Sequence, residues 1–236
     1  MIKRDFVAII PARSGSKELK NKNIKKILGH PLIAYTIKAA KLSKYIKEVY
    51  VTTDGNSIAD QSRKYGAKII KRPKKLANNT ILPDAAVVHA INQIEKKTKF
   101  NNVVFLQPTS PLRSKQDINL AIELYKKKQA DCLFSSVELH STMWKDTNSF
   151  VRPYHKSFKV VTSRDKLGIN VVDNGSFYIT NKKLFKKFKH RLAGKKIITY
   201  KMEPWTIFEI DKRNDFNLVK WLISSKNKPQ KMILVK

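Results

Sequence analysis

The sequence predicts an α/β domain: a mostly parallel sheet covered on both faces by helices. Two observations carry that expectation. Short strand-like runs alternate with segments of helical apolar periodicity through the first half of the chain. A length of 236 residues, 42% of them hydrophobic, is also enough for one full core.

The elements follow in order. Residues 6–10 form an apolar run that stops at Pro11, the signature of a strand buried on both faces. In the helical segment 32–42, Ile33, Ile37 and Ala40 recur at i, i+4 and i+7 and share one face. Strands are expected at 48–52, 68–70, 103–106 and 132–137, with helices at 58–65, 85–94 and 118–125. Asp84 and Ser114 stand where N-caps belong. From 138 to 173 the pattern loosens, and His140, Met143, Trp144, Phe150, Tyr154, His155 and Phe158 lie among polar residues. Such a stretch is either a long irregular loop or an arm that buries its aromatics against another chain. Asn174-Gly175 then reads as a turn into a strand through Phe177-Tyr178-Ile179. A last helix is expected near 215–224 and a short strand at 232–235. No repeat or disordered linker divides residues 1–236, so one domain is expected.

The chain carries 49 Lys+Arg against 18 Asp+Glu, a formal charge of +31. That field attracts polyanions: nucleic acid, anionic membrane, or phosphorylated and carboxylated small molecules. The lysines are spread over the whole length, without a basic tail or the aromatic–basic interleaving of RNA-binding modules, which argues for compositional bias over a nucleic-acid role. Cys132 is the only cysteine, so an intramolecular disulfide and a Cys-based zinc site are excluded. The five histidines show no metal-ligand spacing. The apolar run near the N-terminus is too short for a signal peptide or a membrane span, and the cytoplasm is the expected compartment.

Ligands on parallel sheets sit at the carboxyl ends of strands. After the first strand comes a loop with Arg13, Ser14, Gly15, Ser16, Lys17, Lys20, Lys22 and Asn23. Cations, hydroxyls and a glycine at a strand end suit a polyphosphate, though the loop is neither Walker A nor GxGxxG. Residues 106–113, Leu-Gln-Pro-Thr-Ser-Pro-Leu-Arg, form a second loop at that edge, stiffened by two prolines. Arg72-Pro73 follows the third strand, where a guanidinium could reach a base carbonyl or a phosphate. Asn174 and Tyr178 could present an amide and a phenol to a polyhydroxylated ligand. Glu209-Ile210-Asp211 sets two carboxylates on one face of an extended segment, a spacing that suits a hard divalent cation.

Taken in order, several motifs resemble the cytidylyltransferases that activate acidic sugars, specifically the acylneuraminate branch. They are Pro11 to Lys17 with Lys22-Asn23-Ile24, Pro31 to Thr36, Thr52-Thr53-Asp54, Arg72-Pro73, His89-Ala90, Leu106 to Arg113, Asn174-Gly175 with Tyr178-Ile179, and Ile210-Asp211 with Asp215-Phe216. The resemblance implies a Rossmann-like fold of the nucleotide-diphospho-sugar transferase kind, usually dimeric, with residues 139–173 as a dimerisation arm. The implied reaction moves CMP from CTP to the anomeric hydroxyl of a nonulosonic acid, with Mg²⁺ and release of pyrophosphate. By position, Arg13, Lys22 and Asp211 become the catalytic set. Ala12, Ser16, Lys17, Asn23 and Arg72 join Arg13 and Lys22 around the nucleotide. Gln107, Arg164, Asn174 and Tyr178 face the acceptor sugar, and Glu209 and Asp211 take the metal.

Glu18 stands where the family usually has glycine, and Glu209 where it usually has aspartate. The related branch acting on 3-deoxy-octulosonate typically carries aspartate in the loop matching residues 107–111. Here that loop is Gln-Pro-Thr-Ser-Pro, which favours a nine-carbon acid. The alternatives are another 3-deoxy keto-acid sugar as acceptor, or a basic nucleic-acid-binding protein. The expected partners are CTP, an acidic sugar and a second copy of the chain, with neither nucleic acid nor membrane.

Overall fold

The structure, a computed structural model, describes residues 4–16, 18–78, 80–139, 144–147, 150–153 and 170–224. Its centre is β1 (Phe6–Pro11), flanked by the parallel strands β4 (Ile46–Thr53) and β6 (Asn102–Leu106). Beyond β4 lies the parallel edge strand β5 (Lys68–Lys71). On the other side β10 (Asn170–Asn181) runs antiparallel to both β6 and β7 (Cys132–Leu139), and β11 (Ile197–Lys201) closes the edge parallel to β7. The order is β11-β7-β10-β6-β1-β4-β5. β10 alone runs against the other strands, so the sheet is mostly parallel, as expected.

Both faces of β1 are covered, which explains its unbroken apolar run. Phe6, Ala8 and Ile10 point into one buried cluster with Ile33 and Ile37 of α1 (Leu32–Lys41) and Ile118 and Ile122 of α4 (Lys115–Lys127). Val7 and Ile9 point the other way, onto Val87, Ile91 and Ile94 of α3 (Pro83–Ile94). The alternation is the two-residue period of a strand. Ile58 of α2 (Asn56–Lys64) joins the first cluster and Phe185 of α5 (Lys182–Phe188) the second.

A third cluster positions the ligand-bearing edge. Leu19 from the first loop, Leu112 from the proline-rich loop and Ile210 from between the two carboxylates pack with Phe216 and Val219 of α6 (Arg213–Ser224). Burial of each such aliphatic side chain contributes about 1.5–3 kcal/mol. Segments far apart in sequence are thereby fastened together by apolar packing.

Ser114 caps α4 as expected: its Oγ accepts from the Asp117 amide at 3.1 Å while Asp117 accepts from the Ser114 amide at 2.8 Å. Asp84 does not cap α3. That helix starts at Pro83, and the Asp84 carboxylate turns inward to accept from the Arg191 amide at 2.8 Å and from its guanidinium at 2.6 Å. Asn174-Gly175 is not a hairpin turn either. It lies inside β10, where the pairing with β7 shifts register between Asp173 and Tyr178 and Gly175 takes φ +64°. The sequence reading had no counterpart for α5, β11 or the short antiparallel pair β2 (Lys26–Ile27) and β3 (His30–Pro31).

Within residues 139–173, where an arm is expected, β8 (Trp144–Asp146) and β9 (Val151–Pro153) pair antiparallel. His140, Met143, Tyr154, His155, Phe158 and the strand expected at 232–235 lie outside the described residues, as do Lys17 and Arg164. Among the described residues no helix is long and apolar enough to cross a membrane.

Candidate active site

The loops after β1, β4, β5 and β6 meet at one edge of the sheet. The Ala12 amide donates to the Thr52 carbonyl at 3.0 Å. Ser14 donates to Asp54 twice, from its amide at 3.0 Å and from its hydroxyl at 2.6 Å. Burial alone would raise the Asp54 carboxyl, but the Ser14 hydrogen bonds and the nearby Arg72 charge bring it below the ordinary aspartate value. The loop is closed by Asn23, whose side-chain amide donates to the Arg13 carbonyl at 3.0 Å. Asn21, at φ 58°, turns the chain into a 3-10 turn at Lys22–Ile24. Arg13 and Lys22 are thus carried on a pinned backbone.

A cleft of about 430 Å³ opens here, and Arg13, Ser16, Lys22, Arg72, Gln107 and Asp211 all line it. Lys22 Nζ donates to Asp211 Oδ1 at 2.9 Å, so the two ends of the chain's motif set share one cavity. Glu18 is exposed at its rim. Arg72 is buried, with its amide on the Thr53 carbonyl and its guanidinium on the Thr52 carbonyl, both at 2.8 Å. Burial pulls the guanidinium down to about 10, with Asp54 opposing and Arg13 adding to the fall. It stays charged at neutral pH. Arg72 Nε, Asn23 Oδ1 and Thr109 Oγ1 are buried without a hydrogen-bond partner, and all three residues line the cleft. Buried polar atoms left open at a cavity wall are poised for a polar ligand.

Glu209 is half-buried on the chain segment leading to Asp211. Its carboxyl is pushed up to about 7, by burial first and then by the charges of Asp211 and Asp173, with Arg113 and Lys22 opposing. Glu209 and Asp211 lie two residues apart, and Asp211 lines the cleft with Lys22 as its partner; these are oxygen donors of the kind a hard cation takes. Mg²⁺ takes one or two carboxylates and completes its shell with phosphate oxygens and water.

Residues 7–236 match the family described as cytidylyltransferase. The chain belongs to that family.

Over 232 residues the chain is 32% identical to the N-acylneuraminate cytidylyltransferase of Escherichia coli O18:K1:H7; the match covers 94% of the chain and 53% of that protein. It is also 32% identical over 231 residues to the post-translational flagellin modification protein B of Campylobacter coli, covering 94% of the chain and 97% of that protein. The chain therefore spans about half the length of the first relative and nearly all of the second. Among solved structures, a CMP:2-keto-3-deoxy-manno-octonic acid synthetase complexed with CTP superposes with a TM-score of 0.70 at 17% identity, covering 93% of this chain and 98% of that one. At that identity the likeness establishes the fold.

Two residues expected to face the acceptor are instead engaged within the protein. The Asn174 side chain accepts from Ser135 Oγ at 2.6 Å and donates to Thr206 Oγ1 at 2.9 Å. The Tyr178 hydroxyl donates to Asp173 at 2.8 Å, and its ring packs on Phe105. Neither lines the cleft. Sequence reasoning gave no role to Asp54, Asp173 or Arg113. Asp54 stood in the Thr52-Thr53-Asp54 motif, and its strand-end position was the available signal. Arg113 closes the proline-rich motif directly before the α4 cap, a position where an arginine can turn inward beneath its own loop.

Proposed function

We propose that this chain transfers CMP from CTP to the anomeric hydroxyl of a nonulosonic acid and releases pyrophosphate. The observation that carries the reading is the convergence of Lys22 and Asp211 in a cleft that also holds Arg13 and Arg72. Three cations and an acidic edge in one cavity suit a metal-complexed nucleoside triphosphate.

In the reaction the anomeric oxygen attacks the α-phosphorus in line, and the bond to the β-phosphate oxygen breaks. Arg13 and Lys22 hold the triphosphate and offset the negative charge that grows on the phosphoryl and leaving oxygens. Ser16 and Asn23 line the nucleotide side, and Ala12 and Lys17 are assigned to it by their position in the motif. Arg72, with Nε open, faces the base. Gln107, in the same cleft, orients the sugar, with Arg164 assigned to the acceptor by position. Positioning supplies much of the remaining rate. Glu209 and Asp211 would hold Mg²⁺, which when bound neutralises phosphate charge. With Asp211 on the cation, Lys22, its present partner, would be free to neutralise the triphosphate.

The nine-carbon preference rests on the Gln-Pro-Thr-Ser-Pro loop and on the N-acylneuraminate cytidylyltransferase relative. Residues 1–236 act as one domain in the cytoplasm, paired with a second copy through the arm at 139–173, where Trp144 is exposed. The test is to incubate purified protein with CTP, Mg²⁺ and a panel of sialic, legionaminic, pseudaminic and 3-deoxy-octulosonic acids, reading CMP-sugar by mass. A CMP-sugar from a nine-carbon acid is expected. Product from the eight-carbon acid alone would move the acceptor class, and no product from any acid would overturn the reading.

A further inference from the structure

Arg113 is 1% exposed, among the largest wholly buried side chains of the protein. Among the described residues no carboxylate lies within ion-pair distance of it. Its guanidinium instead ties three elements together. Nε donates to Ser176 Oγ of β10 at 2.9 Å, Nη1 to Thr36 Oγ1 of α1 at 3.0 Å, and Nη2 to the carbonyl of Gln107. Thr36 Oγ1 donates to that same carbonyl at 3.4 Å. The Gln107 amide donates to the Ser176 carbonyl at 3.2 Å. Both backbone polar groups of Gln107 are thus fixed, one of them by a buried cation.

Glu209 and Asp117 favour the charge only from beyond ion-pair distance, and a buried charge without a direct carboxylate partner costs several kcal/mol, so stability alone is a poor reason for an arginine here. The planar fork supplies geometry that no apolar residue and no lysine reproduces. What it orients is a cleft-lining residue: the Gln107 side chain leaves a backbone clamped from beneath and comes within 2.8 Å of the point a Gly175 Cβ would occupy, beside the Glu209 carboxylate. Among the described residues no hydrogen bond or ion pair joins the clamp to Arg13, Lys22 or Arg72.

We infer that Arg113 is a positioning residue for the acceptor: it fixes Gln107 so that its amide meets the sugar in one orientation, without contributing to CTP binding. The inference rests on the proposed transfer to an acidic sugar. Its consequence is an asymmetric kinetic effect, since loosening the clamp disturbs one substrate and spares the other.

The experiment compares Arg113→Lys, Thr36→Val and Ser176→Ala with the parent chain, measuring KM for CTP, KM for the acceptor and kcat separately. The latter two variants leave Arg113 in place and remove one acceptor each, so they remain informative if the lysine variant does not fold. Loss of a clamp bond should raise the acceptor KM by about tenfold while the CTP value stays within about twofold. Thr36→Ser, which restores the hydroxyl, should return the acceptor KM towards the parent value, a rescue that a packing role for the threonine methyl would not give. Equal shifts in both KM values, or none in either variant, would overturn the positioning role while leaving the transfer reaction standing. An inactive parent chain that also fails to bind any acidic sugar in titration calorimetry would overturn both together.

Discussion

Lys22 Nζ lies 2.9 Å from Asp211 Oδ1 although 189 residues separate them in the chain. The lysine is 14% exposed and the aspartate 63%, so water screens the pair on one side. An ion pair of this exposure contributes at most about 1 kcal/mol to folding. In the proposed reaction its role is functional. Lys22→Ala and Asp211→Asn should each lower kcat by about 10²–10³-fold, the cost of removing a charge that stabilises the transition state. Both should melt within a few degrees of the parent chain. Steady-state kinetics beside thermal melting checks this; full turnover in either variant removes that residue from the catalytic set.

Glu209 makes the stability of the fold depend on pH. Its carboxyl titrates at about 7 in the fold against an ordinary value of 4.5, chiefly because of burial. Between those values the folded chain holds a proton that the unfolded chain has lost, so this group's contribution to stability falls as pH rises from about 4.5 to about 7. Glu209→Gln removes the titration. Relative to the parent, the variant should gain stability across that window, by up to about 3 kcal/mol at neutral pH. Denaturant unfolding at pH 5 and pH 7.5 measures it. Added Mg²⁺ should narrow the gap in the parent chain and leave the variant unchanged. A pH-independent difference would show that Glu209 does not titrate there.

The parts of the fold that were legible in sequence are those where local pattern and tertiary environment agree. β1 is buried on both faces, so its apolar run could only be a central strand. The cationic loop after it was legible because a strand end fixes where such a loop must lie. β11 was not: Ile197 to Lys201 is half-exposed at a sheet edge and shows little apolar alternation. Asn174-Gly175 carried a genuine turn signal, which was overridden because the same left-handed glycine can make a bulge within a longer strand. Arg113 was hidden by composition. With 49 basic residues, nothing in the sequence separates the arginine that turns inward from those that stay in water.

Asp84 gives the stability prediction that a helix-cap reading would have missed. Its side chain is 2% exposed and joined to the 14% exposed Arg191, whose guanidinium also lies 4.4 Å from the Phe105 ring centroid and 4.8 Å from that of Tyr178. A lost cap costs about 1 kcal/mol. Removal of one partner from a buried pair costs about 3–5 kcal/mol, because the other charge is left stranded. Asp84→Ala should fall in the larger range by chemical denaturation. Arg191→Met in the same background should recover part of the loss, since it removes the stranded cation. A loss near 1 kcal/mol would mean the pair is far more hydrated than its burial indicates.

Gly175 joins the bulge in β10 to the acidic segment. It has φ +64°, a conformation that L side chains adopt only with strain. An added Cβ would sit 1.4 Å from Glu209 Oε1 and 2.8 Å from Gln107 Nε2, so both groups must move. Gly175→Ala should therefore destabilise the chain by at least about 1 kcal/mol from the backbone alone. Displacing Glu209 and Gln107 together should also raise the Mg²⁺ concentration needed for half-maximal rate and the acceptor KM, with the CTP KM little changed. Gly66→Ala provides the control: Gly66 is also left-handed, at φ +83°, but its added Cβ would meet the flexible end of Lys41, and neither residue lines the cleft. It should lose stability and keep its kinetic constants. If Gly175→Ala behaves as that control does, the bulge serves the strand alone and the placement of Glu209 beside Gln107 has no part in the reaction.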